Sequence, residues 1–286
     1  MPISPDLWVA QSDYWSTNSG IFLSDGRAVL IDPAVSVDEI DGIARFVAGQ
    51  GAAPEWLVLT HSHGDHVLGP ERFPGVHTIA QARYLDMAAR DRDRIAAGIA
   101  AWEAEVGRTR QTTFSVPLPD ETFEVERTLN AGRLALRLIH VPGHAADQLA
   151  VYEPERGCLW ASDILSDLEI PFVSDNLAAY ERTLAKLAGY DVRLLVPGHG
   201  RATSDGAEIR SRLADDRAYL AELRDRVSGA VASGKSVAEA VSDCASMRFR
   251  HPAENARPHR LNVESVFIEL GGQADRRQVG WEENVY

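Results

Sequence analysis

Three imidazoles and a carboxylate fall within six residues, His61-Ser62-His63-Gly64-Asp65-His66. Ring nitrogens and carboxylate oxygens at this density suit a borderline-soft divalent ion, Zn²⁺ before others. Such an ion lowers the pKa of a bound water from about 15.7 toward 7, so the chemistry on offer is hydrolysis at neutral pH. The run follows Glu55-Trp56-Leu57-Val58-Leu59-Thr60, an apolar segment that reads as a buried strand. A rigid strand that releases its ligands into the next loop is a good mount for a metal.

Further ligand candidates stand at other strand ends. Leu134 to Val141 is a strand-like run that ends in Pro142-Gly143-His144. Cys158-Leu159-Trp160-Ala161-Ser162 ends at Asp163, and Val192 to Val196 is followed by Pro197-Gly198-His199-Gly200. Asp32 follows the apolar run Arg27 to Ile31. Glycine-containing turns after strands bring backbone and side chains close to a ligand.

The order HxHxDH, Pro-Gly-His, a lone Asp and a second Pro-Gly-His resembles the metallo-β-lactamase-fold hydrolase superfamily over about residues 7 to 200. The resemblance implies a binuclear site. One ion would take His61, His63 and His144; the other would take Asp65, His66 and His199; Asp163 would bridge them, and Asp32 would support the site from behind. It also implies two Zn²⁺ per chain, with Mn²⁺ or Fe²⁺ open to the same donor set. Two ions about 3.5–4 Å apart share a water and a carboxylate oxygen. Asp65 is then the residue to orient the attacking hydroxide and pass a proton to the leaving group.

Within that superfamily, His63 stands where the di-iron flavoprotein branch has a carboxylate. Asp163 is present where zinc β-lactamases lack the bridge, which leaves β-lactam hydrolysis as at most a side activity. The chain is too short for the added domain of the RNA-processing branch. The expected function is cleavage of an ester, thioester or lactone of a small molecule. The alternative is an oxidoreductase resembling the mononuclear iron persulfide dioxygenases, against which Asp65, His66 and His199 together argue for two metals. Tyr180 and Tyr190 match a tyrosine of the lactonase branch by position only.

The elements around these residues alternate. Leu7 to Ala10, Gly20 to Ser24 and Arg27 to Ile31 read as strands, with Ser24-Asp25-Gly26 as a hairpin turn. Ser36 and Glu39 form a capping box that opens a helix to about Gly49. Val76 to Ala80 is a strand, Gln81 to Gly107 a charged helical stretch, and Phe114 to Val125, Leu149 to Glu153 and Gly157 to Ser162 are strands. Asn176 to Ala188 is a helix. The fold expected is an α/β class αββα sandwich: two mixed β-sheets flanked by helices. Residues 1–204 would form the catalytic domain and residues 205–286 a helical appendage packed on it, capped at Asp205 with Glu208 and at Ser236 with Glu239, with a last helix from about Asn255 to Leu270. Substrate contacts or a homodimer surface are the roles open to it. The tail after Gly272 is polar.

Gly229 to Ser236 fits the phosphate-loop pattern GxxxxGKS letter for letter. That loop needs a strand before it, and Arg212 to Val227 is helical in period, so the run reads as a helix end, a turn at Gly234 and a new start at Ser236. His77 reads as a structural or surface residue and Cys158 as a buried thiol. His140 reads as structural, with a supporting place behind the site as its alternative. His251 and His259 read the same way, with lining of a substrate mouth as theirs. Tyr14 and Trp15 read as core or rim packing near the site.

The whole composition fits a soluble enzyme. The 286 residues are 45% hydrophobic, enough for a sizeable core, and carry a formal net charge of −13, which repels nucleic acid. Two cysteines form no disulfide framework and fit a reducing cytoplasm. The first residues lack a basic then apolar stretch, so no signal peptide is expected, and no apolar run is long enough for a membrane span.

Overall fold

The computed structural model describes residues 1–107, 110 and 112–273; the expected tail lies outside them from residue 274 on. Seven strands form one sheet in sequence order: β1 (Pro2–Ser4), β2 (Leu7–Gln11), β3 (Asn18–Ser24), β4 (Arg27–Ile31), β5 (Ala53–Val58), β6 (His77–Gln81) and β7 (Glu121–Phe123). Pairing is antiparallel from β1 to β4 and parallel from β4 to β7. Five strands form the second sheet: β8 (Glu126–Ala131), β9 (Leu134–His140), β10 (Leu149–Glu153), β11 (Cys158–Ser162) and β12 (Leu194–Pro197), in the order β12-β11-β10-β9-β8. Only β11 and β12 run parallel there. Both sheets are therefore mixed, as expected.

Strand alternation divides side chains between layers. In β4, Val29 and Ile31 enter the core between the sheets, while Ala28 and Leu30 face helices α1 (Val37–Gly49) and α2 (Tyr84–Glu105). In β11, Cys158 and Trp160 point inward, while Leu159 and Ala161 meet a second helical layer. That layer is α3 (Leu177–Leu187), α4 (Gly206–Ala232), α5 (Val237–Cys244) and α6 (Ala256–Glu269). One apolar core joins α3 to α6 and the outer face of the second sheet. Burial on both faces is why these strands read as continuous apolar runs.

The local signals act as expected at most ends. Asp25 and Gly26 sit at φ 50° and 75° between paired Ser24 and Arg27, a two-residue hairpin turn. Glu39 accepts the Ser36 N–H at 2.9 Å. The GxxxxGKS run is the end of α4, a left-handed Gly234 at φ 67° and the Ser236 cap of α5.

Two expectations need correction, and one strand was missed. Only Glu121–Phe123 of the segment Phe114 to Val125 is a strand; Pro117 and Pro119 offer no N–H to a ladder. Strand β8 was not expected from its charged sequence: it is an edge strand whose Leu129 and Ala131 alone are buried. Asp205 caps α4 through the Ala207 N–H at 2.8 Å, but Glu208 completes no box, being bound by Thr203 and Arg212. No helix among the described residues is long and apolar enough to cross a membrane.

Candidate metal centre

Five strand ends deliver the chemistry to one edge of the sandwich. Asp32 follows β4, the His61 to His66 loop follows β5, His144 follows β9, Asp163 follows β11 and His199 follows β12. The loop after β5 closes in a single 3-10 turn over Gly64–His66, which turns Asp65 and His66 back toward the strand ends. All seven predicted ligands come together in two groups, His61, His63, His144 and Asp163, and Asp65, His66 and His199. Within each group one donor atom per residue lies within 4.8 Å of the others.

For His61, His66, His144 and His199 the ring nitrogen turned away from the centre is held by protein. His66 Nδ1 is 2.9 Å from Asp32 Oδ2, and His144 Nδ1 is 3.0 Å from the Phe172 carbonyl. His199 Nδ1 is 2.9 Å from the Trp15 carbonyl, and His61 Nδ1 is 3.1 Å from Thr60 Oγ1. Fixing one nitrogen in this way orients the ring and leaves the other facing inward as a donor to a metal. Asp32 is itself anchored by the Thr60 N–H at 2.9 Å and the Thr60 hydroxyl at 2.5 Å.

The inner atoms crowd. His63 Nδ1 lies 3.0 Å from His61 Nε2 and 3.0 Å from His144 Nε2. Asp163 Oδ2 is 3.3 Å from His144 Nε2 and 3.4 Å from His199 Nε2, so it stands between the groups. Asp65 Oδ1, Asp163 Oδ1 and His66 Nε2 are buried without an aligned hydrogen bond among the described residues. Buried orphaned acceptors facing ring nitrogens are what a donor set built for cations looks like, so these residues fit divalent ions.

Electrostatics divides the histidines. Burial, then neighbouring imidazoles, hold His61 and His63 well below the ordinary range, and burial lowers His144. Burial also opposes charge on His66 and His199, but it is outweighed. Asp163 and Asp65 raise His66, and Glu169 and Asp163 raise His199, both well above the ordinary value. Burial works against ionised Asp65 and Asp163, and His66 leads the groups that hold them well below theirs. The carboxylates that raise these two rings are the ones a bound cation would neutralise instead.

The centre forms the floor of a cavity of about 620 Å³. Its walls include Trp15, Leu168, Ile170, Phe172 and Leu261, with Glu169, His251 and Arg257 as polar members. Trp15 sits in a turn where it and Ser16 both adopt φ 53°. Its ring packs on Trp102 at 5.2 Å, and Tyr14 meets the same ring edge-on at 4.9 Å.

The remaining histidines and tyrosines sort by place. His251 lines the cavity, whereas His259 is buried at 2.9 Å from the Tyr219 hydroxyl and 3.1 Å from the Cys244 carbonyl. His140 bonds the Ala146 carbonyl at 2.9 Å, and His77 packs on Trp56 and pairs with Glu121. Tyr180 is buried and donates to the Asp163 carbonyl at 3.2 Å, while Tyr190 packs on Tyr152. Cys158 is buried, which pushes its thiol up to about 12.

Sequence reasoning missed the partners that act through backbone. The carbonyls of Trp15 and Phe172 carry no side-chain signature. Ser166, whose hydroxyl donates to the His199 carbonyl at 2.8 Å, and Glu169 lie in a loop without periodicity. Asp147 was also missed: burial pushes its carboxyl up to about 6, with Ser62 of the metal loop pulling the other way.

With this fold and this donor set on one sandwich edge, the chain belongs to the metallo-beta-lactamase superfamily, whose family pattern matches residues 13–199. It is 26% identical over 246 residues to the acyl-coenzyme A thioesterase MBLAC2 of Gallus gallus, covering 78% of this chain and 86% of that one. A metallo-beta-lactamase family protein of Thermus thermophilus superposes with a TM-score of 0.69 at 20% identity, covering 94% of this chain and 95% of that one. The sec-alkylsulfatase Pisa1 of a Pseudomonas species superposes with a TM-score of 0.72 at 18% identity over 96% of this chain. This chain spans about half the length of that sulfatase, 50%.

Proposed function

We propose that the protein is a metal-dependent hydrolase that cleaves a thioester, or a related ester or lactone, of a small molecule, with two Zn²⁺ per chain. The observation that carries this reading is the pair of donor groups with Asp163 standing between them on the floor of an apolar-walled cavity. The similarity to an acyl-coenzyme A thioesterase supports the thioester as the first substrate class to try. The net charge of −13 argues against nucleic acid as substrate.

His61, His63 and His144 would hold one ion, Asp65, His66 and His199 the other, and Asp163 both. Ions held there supply a water of lowered pKa and polarise a carbonyl oxygen. The protein's own part is orientation and proton handling. Asp65 Oδ2 is 3.2 Å from both His66 Nε2 and His199 Nε2, while Oδ1 makes no hydrogen bond among the described residues. Asp65 would accept the proton of the attacking water and return it to the leaving group. The apolar wall excludes bulk water and receives the acyl chain.

The test is metal analysis with turnover. Two zinc ions per chain, lost in His61→Ala, and thioesterase activity abolished by a chelator and restored by Zn²⁺ are expected. Asp65→Asn should cut kcat about 10²–10⁴-fold, more than it changes KM. Full activity in metal-stripped protein would sink the proposal. One iron per chain would favour an oxygen-consuming enzyme instead, a reading that the intact Asp65, His66, His199 group argues against.

A further inference from the structure

We infer that Asp147 is a positioning residue for the first donor group: through Ser62 it sets the placement of His61 and His63 for a metal ion. The inference rests on the metal-dependent reading above. Asp147 does not line the cavity and belongs to neither donor group. It lies in the turn between His144 and β10, which the Gln148 N–H closes on the Ala145 carbonyl at 3.3 Å.

That turn bears on every histidine of the group. It starts at His144. Just past it, the Leu149 N–H donates to the Thr60 carbonyl at 2.8 Å and lays the turn beside the metal loop. One residue back, Gln148 Oε1 accepts from Ser162 Oγ at 3.4 Å, and that hydroxyl stands 3.4 Å from His61 Nδ1. One residue further back, the Asp147 carboxylate faces the hydroxyl and the N–H of Ser62, the residue between His61 and His63.

Burial makes this place costly. Asp147 and Ser62 are both buried, Asp147 completely. Neither carboxylate oxygen has an aligned hydrogen bond among the described residues. The Arg90 guanidinium feels its charge but donates to Asp91 at 2.7 Å. A buried carboxylate with contacts this loose costs stability. A residue that costs the fold stability is accounted for by what it holds, and here that is the metal loop. Two acceptor oxygens suit the two donors of Ser62, whereas an amide offers one oxygen and turns its N–H groups toward the other donor.

The experiment reads metal binding in wild type, Asp147→Asn, Ser62→Ala and the double variant. Zinc retention is measured by competition with a chelator, the ligand field by the visible spectrum of the Co²⁺-substituted proteins, and the fold by melting of the metal-stripped chains. Groups that support metal-binding histidines from behind are worth about 10–100-fold in affinity, so Asp147→Asn should hold zinc more weakly by that factor and shift the Co²⁺ bands. Ser62→Ala should change both in the same direction. The double variant should lose no more than Asp147→Asn alone, because the two residues act as one unit. Zinc affinity and Co²⁺ spectrum unchanged in Asp147→Asn, whatever its melting temperature, would overturn the inference, as would additive losses in the double variant. If Asp147→Asn does not fold, Ser62→Ala decides: weaker zinc retention upholds the inference and an unchanged affinity overturns it. A wild type that binds no metal would overturn it together with the hydrolase reading. Metal bound as expected, with no thioester, ester or lactone turned over, would sink that reading alone.

Discussion

Gly198 shows how tightly single residues are specified around the centre. A Cβ at that position would collide with Asp163 Oδ1 and approach the Ser162 carbonyl carbon at 3.0 Å. The glycine between Pro197 and His199 is therefore needed for space beside the Asp163 carboxylate, with no demand on its φ. Gly143, before His144, differs: it sits at φ 136°, and a Cβ there would run into the backbone of Tyr180. Gly198→Ala should lower metal content and turnover with a modest loss of stability, because the carboxylate can swing aside. Gly143→Ala should destabilise the fold itself, by about 1–3 kcal/mol for overpacking and more with the strained φ. Metal analysis beside thermal melting of the two variants separates these outcomes.

The candidate ligand residues, which the fold brings together, were legible because a metal demands few residue types and the strand ends that carry them are apolar runs. His61 to His66, His144, Asp163 and His199 could each be read from a run plus its turn. What holds those rings could not. Phe172 orients His144 through its carbonyl, and any residue offers a carbonyl. Asp32 was legible only because its side chain does the orienting. At the element scale the same logic holds. The strands β4 and β11, covered on both faces, declare themselves, whereas β8 has one buried face and an edge, and its sequence looks like loop.

Helix α4 offers a prediction at this scale. Burial pushes the Asp216 carboxyl up to about 7, with the Arg250 guanidinium lowering it less than burial raises it. The folded chain then holds that proton more tightly than the unfolded chain, whose carboxyl titrates near 3.8. Its contribution to stability is full below 3.8 and is lost as pH rises through about 7. At about 1.4 kcal/mol per pH unit the change is on the order of a few kcal/mol. Between about pH 4 and 7, the window this shift defines, the wild-type melting temperature should fall more steeply than that of Asp216→Asn. Parallel slopes would remove Asp216 from the account.

Across the whole molecule, the helices beyond residue 205 are tied to the centre by polar bonds as well as by the shared apolar core. Asn262 of α6 is fully buried. It accepts from the Val173 N–H at 2.7 Å and donates to the Pro171 carbonyl at 2.7 Å, gripping the segment whose Phe172 carbonyl orients His144. Asn262→Leu leaves those backbone groups unpaired, at about 1–3 kcal/mol each. The expected result is lower thermal stability together with weaker zinc retention, measured by melting and by competition with a chelator. A loss of stability with unchanged zinc affinity would show that the helices support the fold alone.

The turn at Trp15 and Ser16 has a consequence in time. Its carbonyls bind His199 Nδ1 and the Gly200 N–H, and Asn18 next to it donates to the carbonyls of Pro197 and Gly200. The last candidate ligand in chain order is thus clasped by a turn 184 positions before it. Synthesis at about 5–20 residues per second puts roughly ten to forty seconds between them. Through that interval the hairpin waits with its acceptors in water, and a chain stalled before β12 has six of the seven candidate ligands and nothing to complete the second donor group.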